Sequence, residues 1–468
     1  MLVSATWSRR LVCLCVVALA VSSTGCQVLG RLGRIGGNLF GGIPGLGGGA
    51  IIGGPLGAIL DIGGQVITGI ITNPPPTPID AEFNAPGFPQ SPFKIVLPAN
   101  LNPQLVGVLL TPINDIPTCA AIGPDGLLYY TERITGRVRR LSTTNPAAPE
   151  LVLDLPVNSD GDRGLIGICF TPAGVVPARM FLTYVRSTTN ADTTAEADAL
   201  ESRVSSFPFD DLTPGAETVL FQYPKSDPGF PIPAALQGIG PIAIGPDGKL
   251  YFCHGDWNTR LSAFDLNPNN PAGKIHRSNL DGTIPMDNPR AGSTIYAWGF
   301  RFPYGLAWDT VAGIFWALDR GNIVSDELNI VEPNVNYGYP GAQGVHNTAF
   351  EQGVGLLARE PAFDFAAASP LPRPGGIIVL RSPLYPAELQ GNVLYTQTAN
   401  DPVIPIIGPP SPGKVARVDY VRDRFVVGWG DVWTAPNEAG RAFAIVLDND
   451  GRIIVLCETG IYRLDPAS

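Results

Sequence analysis

One arrangement of apolar and polar positions recurs along the chain: an apolar run, a turn of glycine with aspartate or proline, and a second apolar run. The clearest examples are AAIGPDGLLYYTE at residues 120–132 and IAIGPDGKLYFCHGD at residues 242–256. Two apolar runs joined by such a turn are typical of a β-hairpin whose turn glycine has a positive φ. Looser copies occupy residues 167–185, 306–319, 384–398 and 445–459.

The six copies lie several tens of residues apart, which leaves room for two more strands after each hairpin. A four-stranded unit repeated in this way is typical of a β-propeller. A pair of β-sandwiches is the structural alternative, but it would not explain why one phrase recurs six times. The sequence therefore predicts an all-β fold, a six-bladed β-propeller, with variable loops at one end where a ligand would bind.

Composition agrees with a large, loop-rich β protein. The chain has 468 residues, of which 45% are hydrophobic, and its 55 glycines and 47 prolines are too frequent for long helices. The formal net charge is −10. Because phosphate binding needs a basic surface, this charge argues against a nucleic-acid partner.

The first 26 residues have the organisation of a lipoprotein signal peptide. Arg9 and Arg10 precede the apolar run LVCLCVVALAV, and small residues lead to Cys26. This ending is similar to the bacterial lipoprotein cleavage box, in which the cysteine becomes the lipid-bearing N-terminus. We therefore expect a lipid anchor in the cell envelope, on the periplasmic face of the outer membrane or at the cell surface. The alternative is an ordinary signal peptide with a chance cysteine.

Residues 27–93 are rich in glycine and proline, as in GGNLFGGIPGLGGGAIIGGPLGAIL and PPPTP. Pro44, Pro55 and Asp61 argue against a spanning helix, so the segment is predicted to be a tether between the anchor and the folded body. Contact with the membrane surface is the alternative. The propeller is assigned to residues 94–468.

Several motifs within residues 111–466 resemble the soluble, pyrroloquinoline-quinone-dependent sugar dehydrogenases, the glucose/sorbosone dehydrogenase family. They are GDRGLIGICFTP (161–172), AGKIHRSNLDGTIPMDNP (272–289), IYAWGFRFPYGLAWD (295–309) and DELNIVEPNVNYGYP (326–340). The resemblance implies a six-bladed propeller that binds calcium and the quinone at one end. It also implies oxidation of the anomeric hydroxyl of an aldose, with the quinone as hydride acceptor and a histidine as general base.

The chain departs from this family at the positions that carry the chemistry. The position of the histidine base holds Gln237, which cannot accept a proton. The arginine that polarises the quinone is present as Arg301, but Phe302 replaces the asparagine that follows it. The family also has two arginines one residue apart for bidentate binding of the quinone's carboxylates, whereas this chain has Arg441 and then Phe443.

The resemblance places calcium on loop carbonyls and acidic side chains. The quinone-bound ion would take the carbonyls of Gly321 and Asn322, and a second, structural ion would take Asp326 and Tyr337. For Asp326 the alternative is an ordinary turn or salt bridge.

Other reactive residue types add little. His254, His276 and His346 lack metal-ligand spacing, and the first or last of them could replace the missing base only by an unusual arrangement. Cys119, Cys169, Cys253 and Cys457 lie in apolar strands, where we expect unpaired thiols.

Two functions follow. One is an envelope-anchored, quinone-dependent aldose dehydrogenase with a rearranged site, acting on a sugar or another small polyol. The other is a non-catalytic propeller that binds a carbohydrate or a protein partner. The sequence does not indicate an oligomeric state.

Overall fold

The described part of the chain begins at Leu105. The computed structural model describes residues 105–467 except 115, 211, 225–237, 258–264, 322–324, 345–357, 366–372, 399–413 and 422–424, and without the side chains of 420–430. The predicted signal peptide with Cys26, the tether, Gln237, Asn322 and His346 lie outside the described residues.

The described residues form 24 β-strands and little helix. The strands are β1 (Leu105–Pro112), β2 (Pro117–Ile122), β3 (Leu128–Glu132), β4 (Arg137–Leu141), β5 (Glu150–Asp154), β6 (Leu165–Phe170), β7 (Arg179–Ser187), β8 (Ala199–Pro208), β9 (Thr218–Pro224), β10 (Ile239–Ile244), β11 (Leu250–His254), β12 (Lys274–Ser278), β13 (Ile295–Trp298), β14 (Pro303–Asp309), β15 (Ile314–Asp319), β16 (Glu327–Ile330), β17 (Phe363–Asp364), β18 (Pro374–Val379), β19 (Val393–Gln397), β20 (Lys414–Val421), β21 (Phe425–Thr434), β22 (Ala442–Leu447), β23 (Ile453–Cys457) and β24 (Gly460–Pro466). Short 3-10 turns occur at Glu196–Asp198, Ala387–Leu389 and Asn437–Ala439. None of the helices within the described ranges has the length and apolar character needed to cross a membrane.

The strands form six antiparallel four-stranded sheets, which confirms the predicted six-bladed propeller. Blades 1 to 5 are β2–β5, β6–β9, β10–β13, β14–β17 and β18–β21, each with its first strand innermost. Blade 6 contains β22, β23 and β24, and its outermost strand is β1 from the start of the described chain. Each inner strand contacts the inner strands of both neighbouring blades, including β2 with β22, so the ring is closed.

The recurring phrase folds as a hairpin because its turn satisfies its own polar groups. In blade 1, Gly126 has φ +79°, and the Asp125 carboxylate accepts from the Leu127 amide at 3.2 Å and from the Tyr129 hydroxyl at 2.8 Å. In blade 3, Asp247 accepts the same two bonds from Lys249 and Tyr251. An aspartate followed by a glycine in the left-handed region therefore fixes both turns.

One hairpin was assigned to the wrong residues. The sequence places the fifth at 384–398, but its first strand is β18, ten residues earlier at its start, and Ala387–Leu389 is a 3-10 turn in the loop before β19. Pro386, which has no amide hydrogen to give to a ladder, precedes this turn. The apolar residues of this loop still reach the core, since Leu389 is fully buried.

The hydrophobic core lies between adjacent blades. The ring of Tyr129 in blade 1 packs against Phe170 and Phe209 of blade 2, with centroids 4.8 and 5.7 Å apart. Cys169, Cys253 and Cys457 are buried and Cys119 is half-buried, and all four are free thiols. Burial raises the pKa of each of these thiols, so they are unreactive core residues.

Candidate functional site

The candidate site lies where the inner strands begin. All six sheets share one strand order and their inner strands pack side by side, so these strands begin at the same end of the ring, which we name the upper end. Arginines are concentrated there. Four lie one or two residues before inner strands and two directly follow the second strands of their blades: Arg163, Arg301, Arg373, Arg441, Arg133 and Arg320.

Arg301 is positioned by a buried carboxylate. Asp319, at the end of β15, accepts from the backbone amides of Arg301 at 2.9 Å and Phe302 at 2.6 Å. Burial, reinforced by the nearby charge of Glu327, raises the pKa of Asp319 well above its ordinary value. With its backbone held in this way, Arg301 donates from Nη1 to the carbonyl of Arg320 at 3.2 Å and to that of Gly321 at 2.7 Å.

The Gly321 carbonyl, a predicted calcium ligand, accepts a second guanidinium. Arg373 Nη1 in blade 5 donates to it at 3.0 Å. Asp326, another predicted calcium ligand, accepts from the Gly321 amide at 3.0 Å and the Arg373 amide at 2.8 Å. The structure thus brings Arg301, Gly321 and Asp326 together, and Arg373 contacts both Gly321 and Asp326.

The other predicted residues lie apart from this group. The Tyr337 hydroxyl donates to the Ile330 carbonyl at 2.6 Å, at the opposite end of β16 from Asp326, and its ring stacks on Phe300. Arg441 makes a bidentate ion pair with Glu458, at 3.1 and 2.8 Å, which lowers the pKa of Glu458. The guanidinium of Arg441 also lies 5.1 Å from the centre of the Phe443 ring.

Aromatic side chains occupy the upper end of β14. Phe302 is fully buried, packs edge-on against Tyr304 at 5.2 Å and shares a cluster with Ile166 of blade 2. The guanidinium carbon of Arg320 lies 3.5 Å from the centre of the Tyr304 ring. Burial raises the pKa of Tyr304, while the charges of Arg320 and Arg133 oppose the rise. The charges of Arg320 in blade 4 and Arg133 in blade 1 therefore both lower the pKa of the Tyr304 hydroxyl.

Neither described histidine is suited to act as a base at the upper end. His254 and His276 are fully buried, and burial lowers the pKa of each to about 3. Both nitrogens of His276 are bonded, Nδ1 with Thr294 Oγ1 at 2.9 Å and Nε2 with the Pro271 carbonyl at 3.1 Å. They are core residues rather than exposed proton acceptors.

A family model described as Glucose / Sorbosone dehydrogenase matches residues 114–408, more than half of the chain. The chain belongs to this family. The match confirms the resemblance read from the motifs, and it spans most of blades 1 to 5.

Individual relatives agree with the family. Quinoprotein glucose dehydrogenase B of Acinetobacter calcoaceticus is 28% identical over 263 residues, which are 51% of this chain and 52% of that protein. An aldose sugar dehydrogenase of Escherichia coli is 30% identical over 199 residues, 41% of this chain and 50% of that protein. The chain thus spans about half the length of these two relatives.

Solved structures share the fold. The PQQ-bound form of an aldose sugar dehydrogenase from Streptomyces coelicolor has a TM-score of 0.60 and 20% identity, and the match covers 78% of this chain and 98% of that one. The apo form of the Escherichia coli aldose sugar dehydrogenase has a TM-score of 0.60 and 21% identity, covering 78% and 100%.

Two of the calcium ligands that the resemblance implies, Gly321 and Asp326, do not fit a metal as they stand in the structure. A carbonyl oxygen has two lone pairs, and Gly321 gives both to guanidinium donors. Both Asp326 oxygens already accept backbone amides. Within the part of the chain that the structure describes, no three His, Cys, Asp or Glu side chains are grouped to hold a metal ion. We therefore assign no step to calcium.

The upper end does fit an anionic cofactor. Arg133 Nη1 donates to the carbonyls of Ser159, Gly161 and Arg163, and Arg320 Nε to that of Pro374. In the described ranges neither of these two guanidiniums makes an ion pair with a carboxylate, although the charge of Arg320 partly opposes the rise that burial causes in the pKa of Asp326. Carbonyls hold the two groups in place and leave their charge available to a carboxylate ligand.

Sequence reasoning missed Arg133, Arg320, Arg373 and Tyr304. A signal for the first two was present: in the first and fourth copies of the phrase, an acidic residue and then an arginine end the second apolar run, as in YYTER and ALDR. Arg373 has no comparable signal, because it meets Gly321 across 52 residues of sequence.

Proposed function

We propose that this propeller is an envelope-anchored quinoprotein that binds pyrroloquinoline quinone among the arginines of its upper end and oxidises an aldose or a similar polyol slowly. The observation that carries the proposal is the concentration of guanidinium groups there in a chain of net charge −10. Family membership supports the cofactor class, since sugar dehydrogenases of this family use this quinone.

Charge complementarity supports the cofactor's position. Pyrroloquinoline quinone carries three carboxylates, and a guanidinium binds a carboxylate through two parallel hydrogen bonds. Arg133 and Arg320 would hold carboxylates, while Arg301, fixed by Asp319, would lie against the ring system. The buried ring of Tyr304 lies under Arg320 and supports that guanidinium.

When bound, the quinone supplies the chemistry of a two-electron acceptor for the hydride of the sugar's C–H bond. The chain's residues would orient the sugar and take the hydroxyl proton. Gln237 stands at the position of the family's base and cannot take that proton, and the buried His254 and His276 do not replace it. Loss of a general base costs typically ~10²–10⁴ in rate, so we expect slow turnover with proton transfer to water.

A second function is favoured by two contacts. Glu458 already neutralises Arg441, and Phe302 fills the space beside Tyr304. Both contacts reduce the room and the charge left for a cofactor. In that case the same surface binds a carbohydrate or a protein partner without turnover.

Anchoring is proposed from the sequence of the first 26 residues. Export and lipidation at Cys26 would place the propeller in the envelope, on the periplasmic face of the outer membrane or at the cell surface. Radiolabelled palmitate incorporation into the wild-type protein, and its loss in Cys26→Ala, would test this. A Cys26→Ala protein that still takes up label and partitions with membranes would contradict it.

The cofactor proposal is tested by titrating the full-length protein with pyrroloquinoline quinone and following quenching of tryptophan fluorescence. Dye reduction with a panel of aldoses then measures turnover. Arg320→Gln should weaken quinone binding by at least about tenfold, because one carboxylate loses a charged hydrogen bond of roughly 1.5–3 kcal/mol. Arg452→Gln, in the β22–β23 turn at the other end of blade 6, is the matched control and should bind normally.

The outcomes separate the two functions. Quinone binding with slow dye reduction supports the dehydrogenase. Quinone binding without any dye reduction retains the cofactor and removes the enzyme. If wild type and Arg320→Gln both fail to bind quinone, the dehydrogenase proposal is wrong and the binding function remains.

A further inference from the structure

We propose that Arg373, together with Arg301, supplies at the Gly321 carbonyl the positive charge that the family resemblance assigns to calcium. The upper end would then hold its anionic ligand without a metal ion. This inference rests on the proposed function for the identity of that ligand, but not for the arrangement of the arginines.

The first support is the saturation of the carbonyl. The Gly321 oxygen accepts from Arg301 Nη1 at 2.7 Å and from Arg373 Nη1 at 3.0 Å, one bond for each lone pair. Calcium binds carbonyl oxygens at 2.3–2.6 Å as a rule. An ion at that distance would displace both donors and lie beside two like charges, which repel it.

The second support is the way in which Arg373 is held. Its backbone has φ +47°, a conformation that costs a non-glycine residue free energy and persists only where surrounding contacts enforce it. Its amide donates to Asp326 Oδ2 at 2.8 Å, and its carbonyl accepts from the Thr398 amide at 3.2 Å and hydroxyl at 2.7 Å. Three hydrogen bonds therefore fix the backbone that delivers this guanidinium to blade 4.

The third support is the state of Asp326. This carboxylate is fully buried, accepts two backbone amides, and has Arg373 Nη1 at 3.7 Å from its Oδ1. A buried carboxylate needs a compensating cation. Arg373 meets that need from within the chain, so Asp326 does not require a metal.

The arrangement is reciprocal across the blade boundary. Arg373 of blade 5 donates to Gly321 at the end of blade 4's second strand, and Arg320 of blade 4 donates from Nε to the Pro374 carbonyl of blade 5 at 2.7 Å. Two crossed arginines thus join blades 4 and 5 at the upper end. A bound ligand would meet a cationic surface that is built from side chains and present at any calcium concentration.

Calcium binding to the full-length protein tests the inference directly. Isothermal titration with calcium chloride and thermal unfolding in excess calcium or excess EGTA should show no heat of binding at this site and a change in Tm below about 1 °C. Terbium, which takes calcium sites, should show no luminescence sensitised by tryptophan. A wild-type protein that takes up one calcium ion and gains several degrees in Tm would overturn the proposal.

Two variants of one strand refine the test. Arg373→Gln, at the upper end of β18, removes the guanidinium from Gly321 and Asp326 and should create a calcium response, with Tm rising by several degrees in calcium. Arg381→Gln lies beyond the other end of β18, where Arg381 pairs with Asp309 at 2.5 Å, and should lose stability without gaining a calcium response. If Arg373→Gln does not fold, the wild-type titrations decide the question alone.

Quinone titration in EGTA and in calcium separates this inference from the proposed function. Equal affinity in both buffers supports both. Binding in calcium alone overturns the inference and retains the quinoprotein. If quinone binds in neither buffer while calcium still has no effect on Tm, the proposed function fails and the substitution of arginine for calcium stands.

Discussion

Replacing Lys274 by methionine should remove one contribution to stability, the contribution of this lysine, which increases between neutral and alkaline pH. Lys274 begins β12 and is fully buried, and its Nζ donates to the Ala272 carbonyl at 2.6 Å. Burial lowers its pKa to about 7, with the charge of Asp265 opposing the shift. The Lys274 amine of the folded protein therefore gains or loses its proton near pH 7.

The sign follows from proton binding in the two states. Unfolded, Lys274 has an ordinary pKa near ~10.4, so between about pH 7 and pH 10 the unfolded chain holds a proton that the folded chain lacks. The contribution of Lys274 to the free energy of unfolding therefore rises with pH in this window, by up to ~1.4 kcal/mol for each pH unit. From pH 7 to pH 9 the gain is roughly 2 kcal/mol, because the folded lysine is still half protonated at the start.

Urea unfolding at pH 7 and pH 9, followed by tryptophan fluorescence, measures this slope. In Lys274→Met the gain from this group disappears, because methionine fills a similar volume and binds no proton. Lys249→Met is the control, since Lys249 lies in the β10–β11 turn and bonds Asn279 at the surface, and its slope should match wild type. A Lys274→Met protein with the wild-type slope would refute this account of the buried amine.

Three further changes test other parts of the molecule. Gly321→Ala would place a Cβ 1.2 Å from the Ser325 carbonyl oxygen, so the backbone must move and lose its hydrogen bonds with the guanidinium groups. We expect the free energy of unfolding, measured with urea, to fall by roughly 3–5 kcal/mol. An unchanged unfolding midpoint would contradict this close packing. Glu458→Gln releases Arg441 from its ion pair and should tighten quinone binding, while the free energy of unfolding falls by about 1 kcal/mol. Weaker quinone binding would instead show that the ion pair positions the ligand. Gln237→His restores a proton acceptor and should raise the rate of dye reduction by ~10²-fold or more. The control, Gln222→His on β9, should leave the rate unchanged. Equal rates in the two variants would exclude a missing base as the cause of slow turnover.

The fold could be predicted because its signal is local. In blades 1 and 3 an aspartate and a glycine fix the turn within a few residues, as the bonds of Asp125 and Asp247 demonstrate, and there the phrase is clearest in the sequence. The fifth hairpin differs because its first strand, β18, lies before the apolar segment that resembles one. An apolar loop that reaches the core, such as the one containing Leu389, has the composition of a strand without its backbone pairing.

The site could be predicted only in part, because its geometry depends on contacts between distant segments. Arg301 and Gly321 could be identified from motifs, and they do meet. The role of Arg373 could not, since it depends on a positive φ in blade 5 and on Asp326 in blade 4. Tyr337 shows the reverse: its motif is present, but its hydroxyl bonds the far end of β16.

The pairing of β1 with β24 has a practical consequence for engineering. Leu105 lies opposite Pro466 in an antiparallel ladder, so the first and last strands of the ring are neighbours. A short glycine-rich linker could therefore join them covalently, with new termini opened in the β22–β23 turn at the end of blade 6 away from the arginines. In such a circular permutant, the peptide linker would close the ring covalently between β24 and β1, and the surface around Gly321 would be unchanged.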